Sequence, residues 1–219
     1  MVTKLDYWRQ NGIISQDDLN KYPITLIGAG GIGSPTAIAL AKMGINNLTI
    51  VDYDKIELHN IATQFYRKSD IGAEKTEALA DSIEAFADTD VRTFCDKLSY
   101  KPEGLVISGV DSMASREEIW KHIKRNTKVP LYIDGRMGAE VIRVFAVRPS
   151  HPADIRQYEA TLYTDEEALD EPCTAKATIY TGMSVAGLIA RHIKEFSIGR
   201  SVPFEVTFDL VSLTLMTTD

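Results

Sequence analysis

The chain has 219 residues, enough for one α/β domain, with 44% hydrophobic and 25% charged residues, a composition typical of globular proteins. Its 24 Lys and Arg residues are outnumbered by 31 Asp and Glu residues, and the net charge of −7 argues against a nucleic-acid-binding surface. Two cysteines are too few for a disulfide framework or a four-thiolate zinc site, so we expect a cytoplasmic protein.

The first forty residues bear on export and membrane insertion. The first ten residues lack the basic start and the apolar run of a signal peptide, so we expect no export. The segment 22–41 carries no charge for twenty residues, which is the length of a membrane span. Four glycines and Pro35 fall in its middle, where they would interrupt helical hydrogen bonding. We therefore expect no membrane contact.

The first part of the chain alternates between strands and helices. An apolar strand is predicted over 24–28, then a glycine-rich turn, a helix over 34–43 and a second strand over 47–52, which completes a right-handed βαβ unit. Further along we expect a helix from about residue 70, strands over 91–95 and 105–111, a helix over 117–126 and a strand over 129–134. This alternation predicts an α/β fold with a parallel, doubly wound, Rossmann-like sheet.

The pattern changes after residue 135. A long strand is predicted over 140–147, one or two more over 204–216, and a helix over 178–196 between them. We expect these strands to form an antiparallel C-terminal extension of the same sheet. The acidic segment 163–173 has no periodicity and is predicted to be a surface loop.

The glycine-rich turn carries the first chemical signal. Gly28, Gly30, Gly31 and Gly33 fit G-x-G-x-x-G between a strand and a helix, where backbone N–H groups and the helix dipole attract phosphate. Asp52 lies 19 residues beyond Gly33 at the end of the second strand, in position to accept a hydrogen bond from a ribose hydroxyl. The turn predicts nucleotide binding, and by itself it suits a nicotinamide cofactor as well as ATP.

The residues that follow this turn resemble the ubiquitin-activating-enzyme superfamily, the ThiF, MoeB and HesA proteins. In that family a D-x-D, an N-L-x-R-Q segment, a D-I-G-x-x-K segment and an Asp closing the fourth strand occur in this order. The matching residues here are Asp52, Asp54, Asn60, Gln64, Lys75 and Asp111. The N-terminal sequence around Arg9 further resembles the family's R-Y-x-R-Q, and the resemblance spans about residues 5–195.

The resemblance implies an ATP-dependent adenylyltransferase that activates the C-terminal glycine of a ubiquitin-like or sulfur-carrier protein ending in Gly-Gly. The product would be an acyl-adenylate, with a thioester as a possible second step. It implies a single adenylation domain over 1–219, comprising an N-terminal helical arm (1–22), a nucleotide-binding half (23–134) and a carrier-binding half (135–219). ATP and Mg²⁺ are the expected cofactors.

The resemblance also implies roles for individual residues. Lys75 would contact the phosphates, and Asp111 would offer Mg²⁺ the hard oxygen that it prefers. Arg9 would reach the triphosphate of the neighbouring protomer in a homodimer. Cys173 occupies the place where many members keep a cysteine that takes the activated carboxylate or carries sulfur. Cys95, by contrast, is predicted to pack in the core within the third strand.

Two departures from the family pattern leave alternatives open. Thr63 replaces the arginine of N-L-x-R-Q, and Arg67 or Lys68 could supply that charge only if the loop bends back. The loss of this cation keeps a non-catalytic nucleotide- or carrier-binding partner as an alternative function. The paired C-x-x-C motifs of many relatives are absent, so we expect no zinc. A nicotinamide-dependent oxidoreductase would leave Asn60 and Lys75 without a role.

Overall fold

The computed structural model describes residues 5–87, 89–163 and 177–219, and these form one eight-stranded sheet. The strands are β1 (Ile24–Ile27), β2 (Asn47–Val51), β3 (Asp90–Phe94), β4 (Leu105–Ser108), β5 (Tyr132–Gly138), β6 (Val141–Val147), β7 (Glu205–Asp209) and β8 (Thr214–Thr218). Their order is β3-β2-β1-β4-β5-β6-β7-β8. Strands β1 to β5 pair in parallel, and β6 to β8 extend the sheet in antiparallel fashion. The predicted fold class is confirmed.

Helices cover both faces of the sheet. They are α1 (Gln16–Leu19), α2 (Gly33–Met43), α3 (Lys75–Phe86), α4 (Met113–Ile123), α5 (Pro152–Glu159) and α6 (Ile179–Ser197). One apolar core joins the sheet to α2, α3 and α6, and a second core joins the opposite face to α4 and α5. Because both faces are covered, β1 and β4 are buried at every position, which explains their mainly apolar sequences, ITLI and LVIS.

Several element boundaries differ from the sequence predictions. Helix α3 begins at Lys75 rather than near residue 70, because the chain first passes through a 3₁₀ turn and a left-handed Gly72 (φ 90°). Helix α4 begins at Met113, where the Ser112 side chain caps it by accepting from the backbone N–H of Ser115. Helix α5 was not predicted, although the proline at its start is a typical helix-initiation signal.

The prediction that Cys95 packs in the core is wrong. Strand β3 ends at Phe94 and lies at the edge of the sheet, and Cys95 follows it with an exposed side chain. A short β-branched run does not reveal whether its strand is central or at an edge. The predicted acidic loop lies, apart from Tyr163, outside the described residues, as does Cys173. None of the helices in the described ranges is long and apolar enough to span a membrane.

Helix α6 packs directly against the glycine-rich turn that joins β1 to α2. At Gly182 a Cβ atom would lie 2.3 Å from the carbonyl oxygen of Gly31, which is closer than any real contact. Gly187, five residues later on the same helix, is exposed and has no atom within 4 Å of its Cβ position. Because Gly182 has no side chain, the backbone of α6 can pack directly against the turn and support it.

This contact predicts opposite effects for two glycine substitutions in one helix. Gly182→Ala should lower the free energy of unfolding by about 1–3 kcal/mol, because the methyl group has no space and the turn must shift. Gly187→Ala should raise it by roughly 0.5–1 kcal/mol through helix propensity alone. Urea denaturation followed by circular dichroism measures both. Equal effects of the two substitutions would contradict the close packing at Gly182.

Candidate functional site

An open cleft of about 1230 Å³ lies at the carboxyl ends of the parallel strands. It includes the boundary between β1 and β4, where the strand order reverses and where ligands of open α/β sheets bind. Most residues proposed from the sequence line it: Gly28, Gly30, Gly31, Asp52, Asp54, Asn60, Gln64, Lys75 and Asp111. Gly33 and Arg9 are not among the lining residues, and Cys173 lies outside the described residues.

The glycines of the turn have different physical roles. Gly28 has φ of 91°, and a Cβ on Gly33 would lie only 1.7 Å from the carbonyl oxygen of Gly28. These two glycines are therefore required by the backbone itself, whatever binds nearby. At Gly30, by contrast, a Cβ would meet only Nε2 of Gln64, at 3.9 Å. The space above Gly30 is open to a ligand that approaches the start of α2.

Asp52 connects the turn to the end of β2. Its Oδ2 accepts a hydrogen bond from the backbone N–H of Ala29 at 2.6 Å, and its Oδ1 accepts from the N–H of Asp54 at 2.7 Å. Burial raises the pKa of Asp52, and these two backbone donors only partly offset that effect. The carboxylate fixes the turn and still lines the cleft.

Lys75 is a buried cation on the wall of the cleft. Its Nζ lies 2.7 Å from Oδ2 of Asp54, and the Lys75 side chain is 8% exposed whereas that of Asp54 is 50% exposed. The backbone N–H of Lys75 also donates to the carbonyl of Asp54 at 3.0 Å. A buried ammonium needs a close anion, and here that anion is accessible from the cleft. A bound phosphate could therefore share the ammonium with Asp54.

Asn60 and Gln64 differ in whether their buried side-chain oxygens have hydrogen-bond partners. Asn60 is buried, and its Oδ1 accepts from the backbone N–H of Glu57 at 2.9 Å, so it has a structural role in the loop. Oε1 of Gln64 is buried and has no hydrogen-bond partner among the described residues. An unpaired buried amide oxygen costs about 1–3 kcal/mol. The other amide atom of Gln64, Nε2, is the one nearest the open space at Gly30, so this side chain has polar atoms available on the cleft wall.

Asp111 lines the cleft just beyond β4. No group of three or more His, Cys, Asp or Glu side chains within the described residues could hold a metal ion. Mg²⁺ does not require such a group, because it commonly binds one or two carboxylates together with substrate phosphates and water. The single carboxylate of Asp111 therefore has the chemistry of a ligand for a magnesium ion that arrives with a nucleotide, and the described residues form no self-contained metal site.

The cation missing at Thr63 is not replaced by its neighbours in sequence. Thr63 lines the cleft, but Nη2 of Arg67 donates to Ser82 on α3 at 3.1 Å, and neither Arg67 nor Lys68 lines the cleft. Three arginines that sequence analysis missed do line it: Arg116, Arg136 and Arg143. Arg116 directly precedes the predicted helix 117–126, Arg136 follows the predicted strand 129–134 and Arg143 lies within the predicted strand 140–147. None of these positions shows where a side chain points.

Arg9 lies away from the cleft of its own chain. It belongs to a 3₁₀ turn and stacks on Trp8, and Nε2 of the adjacent Gln10 donates to the carbonyl of Lys42 at 3.4 Å. Lys42 is in the last turn of α2, whereas the cleft is at the first turn of this 11-residue helix. The two ends are about 16 Å apart. The structure therefore does not bring Arg9 to the cleft of its own chain.

Comparison with known proteins identifies the family. The model of the ThiF family matches residues 3–218. The chain belongs to the ThiF family. It is 39% identical over 108 residues to the Nedd8-activating enzyme E1 catalytic subunit of Drosophila melanogaster, covering 45% of this chain and 24% of that protein. It is 38% identical over 73 residues to the adenylyltransferase and sulfurtransferase MOCS3 of Caenorhabditis briggsae, covering 33% and 18% respectively. The matched segments thus cover a quarter or less of these relatives.

Solved structures share the fold at low sequence identity. The structure of E. coli MccB with AMPCPP and MccA has a TM-score of 0.72 and 17% identity, and the match covers 93% of this chain and 65% of that one. PaaA has a TM-score of 0.71 and 20% identity, with 98% and 68% covered. At this identity the similarity establishes the shared fold and nothing further about chemistry.

The raised pKa of Asp52 predicts how nucleotide affinity depends on pH. In its expected role as acceptor for a ribose hydroxyl, the Asp52 carboxylate would accept better when ionised than when protonated, so affinity should fall as pH decreases, with a midpoint above the ordinary 3.8. Calorimetric titration with ATP across this range measures it, with circular dichroism to confirm folding at each pH. Asp52→Asn should bind more weakly and lack this dependence. An identical pH profile in the two proteins would exclude Asp52 as its origin.

Proposed function

We propose that this chain is an ATP-dependent adenylyltransferase that activates the C-terminal carboxylate of a ubiquitin-like or sulfur-carrier protein ending in Gly-Gly. The observation that carries this proposal is the convergence of Lys75, the open turn at Gly30 and Asp111 on one cleft. Membership of the ThiF family and similarity to ubiquitin-like modifier-activating enzymes support it. The single-domain division into an arm, a nucleotide-binding half and a carrier-binding half is part of the proposal.

The proposed reaction places specific demands on these residues. The carrier carboxylate attacks the α-phosphorus of ATP, an acyl-adenylate forms and pyrophosphate leaves with growing negative charge. Lys75 would stabilise this charge from a site already held by Asp54, so little reorganisation is required. Backbone N–H groups at Gly30 and the start of α2 would bind phosphate oxygens. Mg²⁺ held by Asp111 would neutralise phosphate charge when bound.

The position of Arg9 supports a homodimer as the working unit. Since Arg9 is remote from the cleft of its own chain, it could contribute to catalysis only in the cleft of a partner. A guanidinium from the partner would replace the charge that Thr63 lacks. Cys173 remains a proposed acceptor for a thioester or carrier of sulfur, and this role rests on the family resemblance alone.

The non-catalytic alternative rests on Thr63. Neither Arg67 nor Lys68 lines the cleft, so one phosphate-facing charge of the family pattern is missing within the described protomer. A pseudo-enzyme of this kind would bind ATP without exchanging pyrophosphate. Incubation with ATP, Mg²⁺, labelled pyrophosphate and candidate carriers separates the two functions, and a ubiquitin-like protein ending in Gly-Gly encoded near this gene would be the first carrier to test.

Loss of charge at Lys75 or Asp111 should abolish most of the exchange activity. Lys75→Ala and Asp111→Asn should each reduce ATP–pyrophosphate exchange by about 10²-fold, the usual scale when one preorganised charge is removed. Asp81→Asn, an exposed position on α3 outside the cleft, is the matched control and should retain full exchange. Thermal melts verify that the variants fold, and unchanged exchange in both cleft variants would rule out the adenylation mechanism.

The dimer predicts complementation between two inactive chains. Arg9→Ala supplies an intact Lys75, and Lys75→Ala supplies an intact Arg9, so a mixed dimer regains one complete site. Random mixing of equal amounts should restore about a quarter of parental exchange, because half of the dimers are mixed and each has one working site of two. Full activity of Arg9→Ala alone, or a fully active monomer in sedimentation, would contradict this arrangement.

A further inference from the structure

A single buried carboxylate joins two of the arginines that line the cleft. Asp134, near the start of β5, is completely buried. Its Oδ1 accepts from Nε of Arg116 at 3.2 Å, and its Oδ2 accepts from Nε of Arg136 at 2.7 Å and from the hydroxyl of Tyr158 at 3.0 Å. The arginines come from α4 and β5 and are themselves 4% and 8% exposed. All three side chains meet on the face of the sheet that α4 and α5 cover.

Arg116 uses its other nitrogen to hold the backbone beside Asp111. Its Nη2 donates to the carbonyl oxygen of Val110 at 2.5 Å. Val110 immediately precedes Asp111, and both residues line the cleft. The β4–α4 connection is short, so a fixed Val110 carbonyl also fixes the backbone of Asp111, from which its side chain extends. The Asp134–Arg116 pair therefore determines the position of the proposed magnesium-binding carboxylate.

Arg136 holds a different wall of the same cleft. Its Nη1 donates to the carbonyl oxygen of Thr161 and its Nη2 to the hydroxyl of Thr161, both at 2.9 Å. Thr161 follows α5 and lies two residues before Tyr163, which lines the cleft. The guanidinium also lies 4.4 Å from the ring centroid of Phe145, which holds its plane. Arg136 thus anchors the backbone that leads to Tyr163.

The desolvation of these buried charges costs free energy, so a contribution to stability does not explain why they are buried together. Two guanidinium groups and one carboxylate are buried together, and they leave an excess positive charge beside the cleft. Apolar side chains of similar volume usually stabilise a core at least as well as a buried ionic triad. What apolar side chains cannot do is hold the carbonyl oxygens of Val110 and Thr161 at fixed positions.

We propose that Asp134 is a positioning residue of the adenylation site, acting through Arg116 on the Asp111 turn and through Arg136 on the Thr161–Tyr163 wall. This inference rests on the proposed function. We assign the two branches to different substrates: Asp111 serves the nucleotide, as the proposed function requires, and the Thr161–Tyr163 wall, which belongs to the proposed carrier-binding half (135–219), serves the carrier. Substitutions in the two branches should therefore change different kinetic parameters, kcat for one branch and the KM for carrier for the other.

The test compares two lysine substitutions that keep the charge but cannot make both contacts. Arg116→Lys should lower kcat for ATP–pyrophosphate exchange by about 10²-fold with the KM for carrier unchanged, because the reacting groups are displaced. Arg136→Lys should raise the KM for carrier by about tenfold and leave ATP affinity in calorimetry unchanged. Arg148→Lys removes an arginine that pairs with Asp154 outside the cleft, and should change neither.

A third variant separates positioning from folding. Replacing the triad together by Arg116→Met, Asp134→Leu and Arg136→Met should give a protein with a melting temperature close to that of the parent but with exchange reduced by about 10²-fold. Full exchange in this variant, or lysine variants that change kcat and KM together, would overturn the positioning role. If the triple variant fails to fold, the split between the two lysine variants decides the question. A parent chain without exchange on any Gly-Gly carrier rejects the proposed function and, with it, this inference.

Discussion

The geometry of the cleft depends on one close backbone contact, the approach of Gly33 to the carbonyl oxygen of Gly28. No side chain fits between them, so the chain leaves β1, reverses and enters α2 within five residues. Helix α6 then packs on the outside of this turn, where Gly182 lies against Gly31. The N-terminus of α2 is consequently held at the point where the strand order reverses. This backbone constraint exists without any ligand, and it leaves Gly30 facing open space.

Charges in the cleft follow a common rule despite their different elements. Each deeply buried cation has a carboxylate partner: Lys75 pairs with Asp54, and Arg116 and Arg136 share Asp134. The partners differ in accessibility, because Asp54 is half exposed whereas Asp134 is fully buried. The first pair can therefore exchange its anion for a ligand phosphate, and the second cannot. The Lys75–Asp54 pair is accessible to a ligand, whereas the two arginines and Asp134 fix the backbone of the cleft walls.

Local patterns in the sequence identified several residues that the structure brings together. The glycine motif, Asp52 and Lys75 are recognised from short-range spacing, and the structure places them around one cleft, apart from Gly33, which does not line it. The Arg116–Asp134 pair was missed because its members are 18 residues apart, and a charged residue on a helix is normally interpreted as solvent-exposed. Cys95 was misplaced because the edge position of β3 depends on strand order, which no local pattern reveals.

The change from parallel to antiparallel pairing after β5 determines how the two ends of the cleft can differ. Strands β1, β2 and β4 end at the cleft with the glycine-rich turn and with short polar side chains such as those of Asp52 and Asp111. Beyond β5 the chain turns back as β6, where Arg143 pairs with Arg136, and both of these long side chains line the cleft. A wall of long side chains can be altered by substitution with little change to the backbone, whereas a wall of backbone groups changes only when the chain itself moves. The fold that this chain shares with MccB and PaaA at 17–20% identity can therefore persist while the residues that line a cleft diverge.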